Sequence, residues 1–252
     1  MLEVLILSLI QGITEFLPVS SSSHLIIISE YLKLNEQNLT LDVSLHIGSF
    51  IAVMTYFYKD IINFLKNKEL FFKILISSIP VMIFGIILVE TNLINALRNI
   101  KTIGWMTLVF GIILFISDKF KLNKDLKKDF SFKTAITIGF FQVLSLIPGV
   151  SRSGITITAA RLLNFKRFDS AKISFLLSIP TLGAVSIFGV RNIIFSGDLN
   201  FSMLNLFSIF FSFIFSLITI KYFLIYILNF FLNLFFIYRV ILGIFLLILA
   251  YS

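Results

Sequence analysis

In the stretch Gln11-Gly-Ile-Thr-Glu15-Phe-Leu-Pro18-Val-Ser20-Ser21-Ser22-Ser23-His24, a carboxylate, several hydroxyls and an imidazole fall within ten residues. Gln11 and Glu15 are four apart and share one face of a helix. Pro18 ends that helix, and the serines behind it offer hydroxyls and backbone N–H groups free of helical partners. His24, three residues past Ser21, lies one turn on if a helix restarts there. A serine hydroxyl beside a carboxylate or an imidazole is the arrangement for moving a proton off a nucleophile or off water. A serine-rich helix cap would account for the hydroxyls, with His24 satisfied locally, but it leaves Glu15 unexplained. An ionisable side chain inside an apolar segment costs about 2.5–3.5 kcal/mol.

The second constellation is Pro148-Gly149-Val-Ser151-Arg152-Ser153-Gly154-Ile-Thr156. A glycine-flanked break that leads into a helix presents unpaired N–H groups at a positive dipole end, which suits an anion. Arg152 adds a planar fork able to hold two phosphate oxygens. The alternative use for Arg152 is an ion pair with Glu15, which is compatible with a site.

Elements must carry these two breaks, and the composition says where. Of 252 residues 58% are hydrophobic and only 13% charged, with a mean hydropathy of +1.01. The apolar residues come in long runs, so a bilayer must cover them. Six runs have spanning character: Leu41–Tyr58, Leu70–Val89, Ile103–Ser117, Ile173–Val190, Phe201–Ile227 and Phe230–Ala250. Val4–Leu32 and Ala135–Leu163 are apolar too, but each is broken near its middle by one of the constellations. Irregular backbone at membrane depth survives only inside protein or beside a wet cavity, so both are read as re-entrant helix pairs. The expected fold is therefore all-α and polytopic, with about six transmembrane helices and two re-entrant pairs. Gln11 lies eight residues before Val19, and Gln142 eight before Val150. Each half is one broken stretch followed by three spans, which predicts two inverted-topology repeats with the site between them. Residues 1–117 form the first repeat, 118–134 a linker and 135–252 the second. In this layout Lys33, Arg98, Lys101 and Arg191 share the side of the N-terminus, while fifteen Lys and Arg lie on the other. That side is then cytoplasmic, and the first broken pair opens outward.

Absence of cysteine excludes disulfides, thiolate metal sites and a Cys nucleophile. The net charge of +8 sits in short loops beside apolar spans, which is membrane orientation rather than nucleic-acid binding. His46, one turn from Asp42, reads as a polar residue near the outer end of its span, with a part in shaping the site left open. Arg239, inside the last span, must face a partner or a cavity.

The segment from Gln11 to His24 resembles the first signature of the undecaprenyl-diphosphatase (bacitracin-resistance) family, and Pro148 to Gly154 resembles its second. The resemblance implies hydrolysis of undecaprenyl diphosphate, a polyprenyl diphosphate lipid, to the monophosphate and inorganic phosphate. This step recycles the carrier lipid for peptidoglycan synthesis at the outer face of the bacterial plasma membrane. It implies catalytic roles for Glu15, Ser21, His24 and Arg152, supported by Gln11 and Ser20. Ser22, Gly149, Ser151, Ser153 and Gly154 are the further expected substrate-binding positions. It also implies a divalent cation, Mg²⁺ or Ca²⁺, with Glu15 as the candidate ligand; Gln11 stands where many relatives carry a second carboxylate. Expected partners are the lipid substrate and membrane lipids, with no nucleic acid, and a homodimer is the assembly to test. Two routes stay open: attack by Ser21 to give a phospho-serine, or direct attack by water activated by His24 or Glu15. The rival function is a lipid flippase or secondary transporter, which uses the same inverted-repeat architecture. The acid-phosphatase-like membrane family is excluded because its lysine–arginine–proline segment is missing.

Overall fold

The computed structural model describes residues 1–32, 39–66, 68–91, 93–120, 122–196 and 202–252. Lys33, Lys121 and the expected start of the fifth span at Phe201 lie outside them. Every regular element among the described residues is helical. The first broken stretch forms α1 (Leu2–Thr14) and α2 (Ser21–Leu32), followed by α3 (Leu39–Tyr56) and α4 (Tyr58–Lys66). Then come α5 (Lys68–Glu90), the short α6 (Leu93–Leu97), α7 (Ile100–Asp118) and α8 (Leu126–Asp129), a single turn within the linker. The second broken stretch gives α9 (Phe132–Val143), a 3-10 turn at Leu144–Leu146, and α10 (Arg152–Leu162). It is followed by α11 (Arg167–Ser196), α12 (Met203–Asn229) and α13 (Asn233–Tyr251).

Five helices (α5, α7, α11, α12 and α13) are long and apolar enough to cross a membrane, and α3 with α4 makes a sixth, bent by 74°. The first expected span therefore ends at Tyr56 rather than Tyr58. The amphipathic segment Tyr58–Lys66 turns off its axis, with Asp60 bonded to Lys172 of α11 at 2.7 Å. Helices α1, α2, α9 and α10 have 13, 12, 12 and 11 residues. At 1.5 Å per residue none reaches more than about 20 Å, short of a hydrocarbon core of roughly 30 Å. Each pair packs against itself, α1 on α2 and α9 on α10. The first pair is held by α3 and α12, the second by α5, α7 and α11.

The outer surface is apolar, and small hydroxyl residues are buried between helices alongside the apolar core. Spans expose Ile86, Ile187, Ile241 and Ile248, whereas Ser8, Ser49, Ser77, Ser212 and Ser216 are buried. Small hydroxyl residues let helices approach closely and bond across the contact. Ser49 of α3 bonds Ser212 and Ser216 of α12 at 3.1 and 3.0 Å, and Ser77 of α5 donates to Ala135 O of α9 at 2.8 Å.

The far end of the second pair is anchored by charge. Arg161 counts with the loop cations in sequence, yet it is fully buried. It donates to Asp118 Oδ1 at 3.3 Å and to the Asp118 and Phe120 carbonyls at 2.9 Å. Asp118 also accepts from Arg167 at 2.7 Å and from Leu232 N at 3.1 Å. One carboxylate thus ties the ends of α7 and α10 to the start of α11 and the turn before α13, fixing the axis along which α10 points its N-terminus. Burying these charges is tolerable because each is paired and hydrogen-bonded.

Candidate active site

Glu15 caps α1, its N–H bonded to Gln11 O, and the chain then turns through Pro18 to restart at Ser21. The second break turns through Pro148 and restarts at Arg152. The residue before each restart has left-handed backbone: Ser20 has φ 76° and Ser151 φ 73°. For a serine this conformation costs about 1–2 kcal/mol, so the surroundings must impose it. Gly149, with φ 98°, has both a conformational and a spatial reason to lack a side chain. A Cβ there would lie 2.6 Å from Ile103 O.

The two breaks meet. Arg152 Nη2 lies 2.7 Å from Glu15 Oε1, across 137 residues of sequence, and its Nη1 donates to Ser174 O at 3.3 Å. Ser21 Oγ donates to the other carboxylate oxygen, Oε2, at 2.7 Å. Ser153 Oγ donates to Leu17 O at 2.7 Å, a second tie between the breaks. Glu15 is 7% exposed, and the Arg152 side chain 14%, which leaves an ion pair screened from water but reachable. First-turn N–H groups of α2 and α10 have no helical acceptor, so two positive helix ends border one carboxylate, one guanidinium and one nucleophile-type hydroxyl. This constellation can bind an anion and take a proton from Ser21.

One contact was not anticipated from the sequence. Gln11 Nε2 lies 3.0 Å from both Glu15 Oε2 and His46 Nδ1. An amide nitrogen has only hydrogens to give, so in this contact Gln11 donates and His46 Nδ1 accepts. A lone imidazole in an apolar span was the available signal; nothing local to α3 said which helix it would face.

The sequence of the bacitracin resistance protein BacA family matches residues 4–245. The chain belongs to that family. Among relatives, the undecaprenyl-diphosphatase of Pelagibacter ubique is 49% identical, covering 100% of this chain and 98% of its own length. The undecaprenyl-diphosphatase of Jannaschia sp. is 36% identical over 98% and 97%, and that of Ruegeria sp. (strain TM1040) is 40% identical over 72% and 73%.

Of the residues expected to act in this BacA-family chain, Glu15, Ser21, Arg152 and Gln11 come together directly. The His24 ring nitrogens bond other groups. Nδ1 donates to Ser20 O at 2.6 Å, while Nε2 bonds the Tyr238 hydroxyl of α13, on which the ring stacks. Ser20 bonds Ser23 at 2.8 Å, and Ser22 is exposed. Ser151 caps α10 through Gly154 N at 3.1 Å and approaches Ser153 at 3.2 Å. Ser20, Ser23, Ser151 and Ser153 thus hydrogen-bond within or between the breaks. Among the described residues no group of three His, Asp or Glu side chains gathers to hold a metal ion. Glu15 is the single carboxylate here, with both oxygens engaged, and Gln11 Oε1 is buried without a partner.

Proposed function

We propose that this chain is an integral-membrane phosphatase hydrolysing undecaprenyl diphosphate to undecaprenyl phosphate and inorganic phosphate. It thereby recycles the carrier lipid for peptidoglycan synthesis and confers bacitracin resistance. The observation that carries the reading is the Ser21–Glu15–Arg152 constellation at two facing helix starts, in a chain of this family. A diphosphate brings several negative charges, so donors and positive potential must be in place before bonds change. The terminal phosphoryl group sits between the starts of α2 and α10, where Arg152 exchanges Glu15 for phosphate oxygens. Glu15, released from the guanidinium, takes the proton of Ser21. Ser21 Oγ bonds the terminal phosphorus, the bridging P–O bond breaks, and undecaprenyl phosphate leaves. Water then hydrolyses the phospho-serine, with Glu15 returning the proton, and inorganic phosphate is released. Hydrogen bonding of Ser21 to Glu15, rather than to His24, favours this route over water activated by His24.

A Mg²⁺ or Ca²⁺ would find one carboxylate here, Glu15, with the Gln11 amide oxygen beside it, so substrate phosphate and water would have to complete its shell. Any cation entering with the diphosphate would draw its ligands mainly from phosphate and water.

Purified protein in detergent, where no gradient exists, should release phosphate from a polyprenyl diphosphate with multiple turnovers. Zero release under conditions in which the lipid is bound would favour a flippase or transporter. The site is read as outward-facing in the bacterial inner membrane. In a chain free of native cysteine, a Cys at Lys127 should be labelled only from the cytoplasm and a Cys at Arg98 only from outside. The reverse pattern would put the site on the cytoplasmic face.

A further inference from the structure

Arg239 of α13 is fully buried at membrane depth, and among the described residues no carboxylate pairs with it. Instead its guanidinium spends every N–H on a backbone carbonyl. Nη1 donates to Pro18 O at 3.2 Å and Val150 O at 3.0 Å, and Nη2 to Gly149 O at 2.8 Å and Met106 O at 3.4 Å. Nε donates to Thr107 O at 3.1 Å. Three of those carbonyls belong to the two breaks, where the backbone has lost its helical donors and Arg239 supplies them. Pro18 is three residues from Ser21, and Val150 two from Arg152. A Cβ at Gly154, in the first turn of α10, would stand 3.0 Å from Arg239 Nη1, so the guanidinium lies directly under the turn that bears Arg152.

We propose that Arg239 is the positioning residue of the phosphate site, a planar clamp that holds both breaks in one register so that Ser21 and Arg152 face each other across Glu15. The inference rests on the phosphatase reading. Five N–H groups in a fixed plane are what reaching both breaks and α7 together requires; an ammonium has three donors on one atom and cannot span them. Room for the clamp comes from Gly111 of α7, where a Cβ would lie 2.9 Å from Arg239 Cβ.

The test uses two variants of the whole protein in detergent. Arg239→Lys keeps the charge and loses the fork. Gly111→Ala keeps the arginine but displaces it, and alanine is otherwise the better helix former. Each should lower kcat per folded molecule about ten- to a hundredfold, the scale of a misplaced reacting group, with a smaller change in KM. Wild-type turnover per folded molecule in both variants, whatever their thermal stability, would overturn the proposal. So would equal rises in KM with kcat unchanged, or failure of both variants to fold, since Arg239 would then serve stability alone. Wild-type protein is the control: without phosphate release from it, the phosphatase reading fails rather than the clamp.

Discussion

Arg152→Ala should lower phosphate release about 10²–10³-fold, the usual cost of removing one preorganised donor from a water-poor site. In the resting site the guanidinium is paired with Glu15 at 2.7 Å. Its charge is thus held at the mouth of two positive helix ends and ready for exchange. Removing it leaves Glu15 an unpaired carboxylate facing the incoming diphosphate, so repulsion adds to the lost grip. Arg152→Lys is the informative substitution. A point-like ammonium keeps the charge but cannot replace a planar fork that reaches the Ser174 carbonyl with one nitrogen and the anion with the other, so rescue should be poor. A fully active Lys variant would show that charge alone suffices. The double change Glu15→Gln with Arg152→Gln removes the ion pair without leaving a lone charge. It should fold and remain inactive; an active double variant would make both residues structural.

Glu15→Gln should cost at least about a hundredfold in turnover, the scale on which general acid–base groups contribute, with little change in the amount of folded protein. Glutamine keeps the volume and can still accept from Ser21 or Arg152. What it cannot do is take the Ser21 proton. Ser21→Ala should fall to a similar level, because Oγ is the atom that bonds phosphorus in the proposed route. Combining the two should cost little more than either alone, as expected of groups that act as a unit. If Ser21→Ala retains near-normal release while Glu15→Gln does not, the carboxylate activates water and the phospho-serine route is wrong. If both keep it, the serine-rich break is only a helix cap.

His24→Ala separates the two halves of the first motif. The motif places His24 beside the hydroxyls, but the fold gives both ring nitrogens other partners, Ser20 O and Tyr238. Nδ1 stays on its own motif while Nε2 reaches α13, a contact that only the packing of α13 supplies. The converse holds for His46, far from the motif in sequence and joined to Glu15 through Gln11.

Sequence alone determined where the membrane is and where the backbone must be irregular. Runs of apolar residues leave no other solvent for the chain, and the Ser- and Gly-rich patches behind Pro18 and Pro148 interrupt their helices, whereas Pro80 and Pro180 sit inside continuous ones. It also marked Glu15, Arg152 and Arg239, because an ionisable group in an apolar run needs a reason wherever it points. Tertiary structure decided which of these groups meet. Glu15 and Arg152 are brought together by helices packed from opposite parts of the chain, and Arg161 is buried because Asp118 and the Phe120 and Phe165 carbonyls meet it. Arg239 has no sequence-local partner at all; its five acceptors are carbonyls from both breaks and α7. Backbone acceptors carry no side-chain signature, so such a partnership cannot be read from residue types. It appears only when two interrupted helices are packed against a third and their unpaired carbonyls converge on one point.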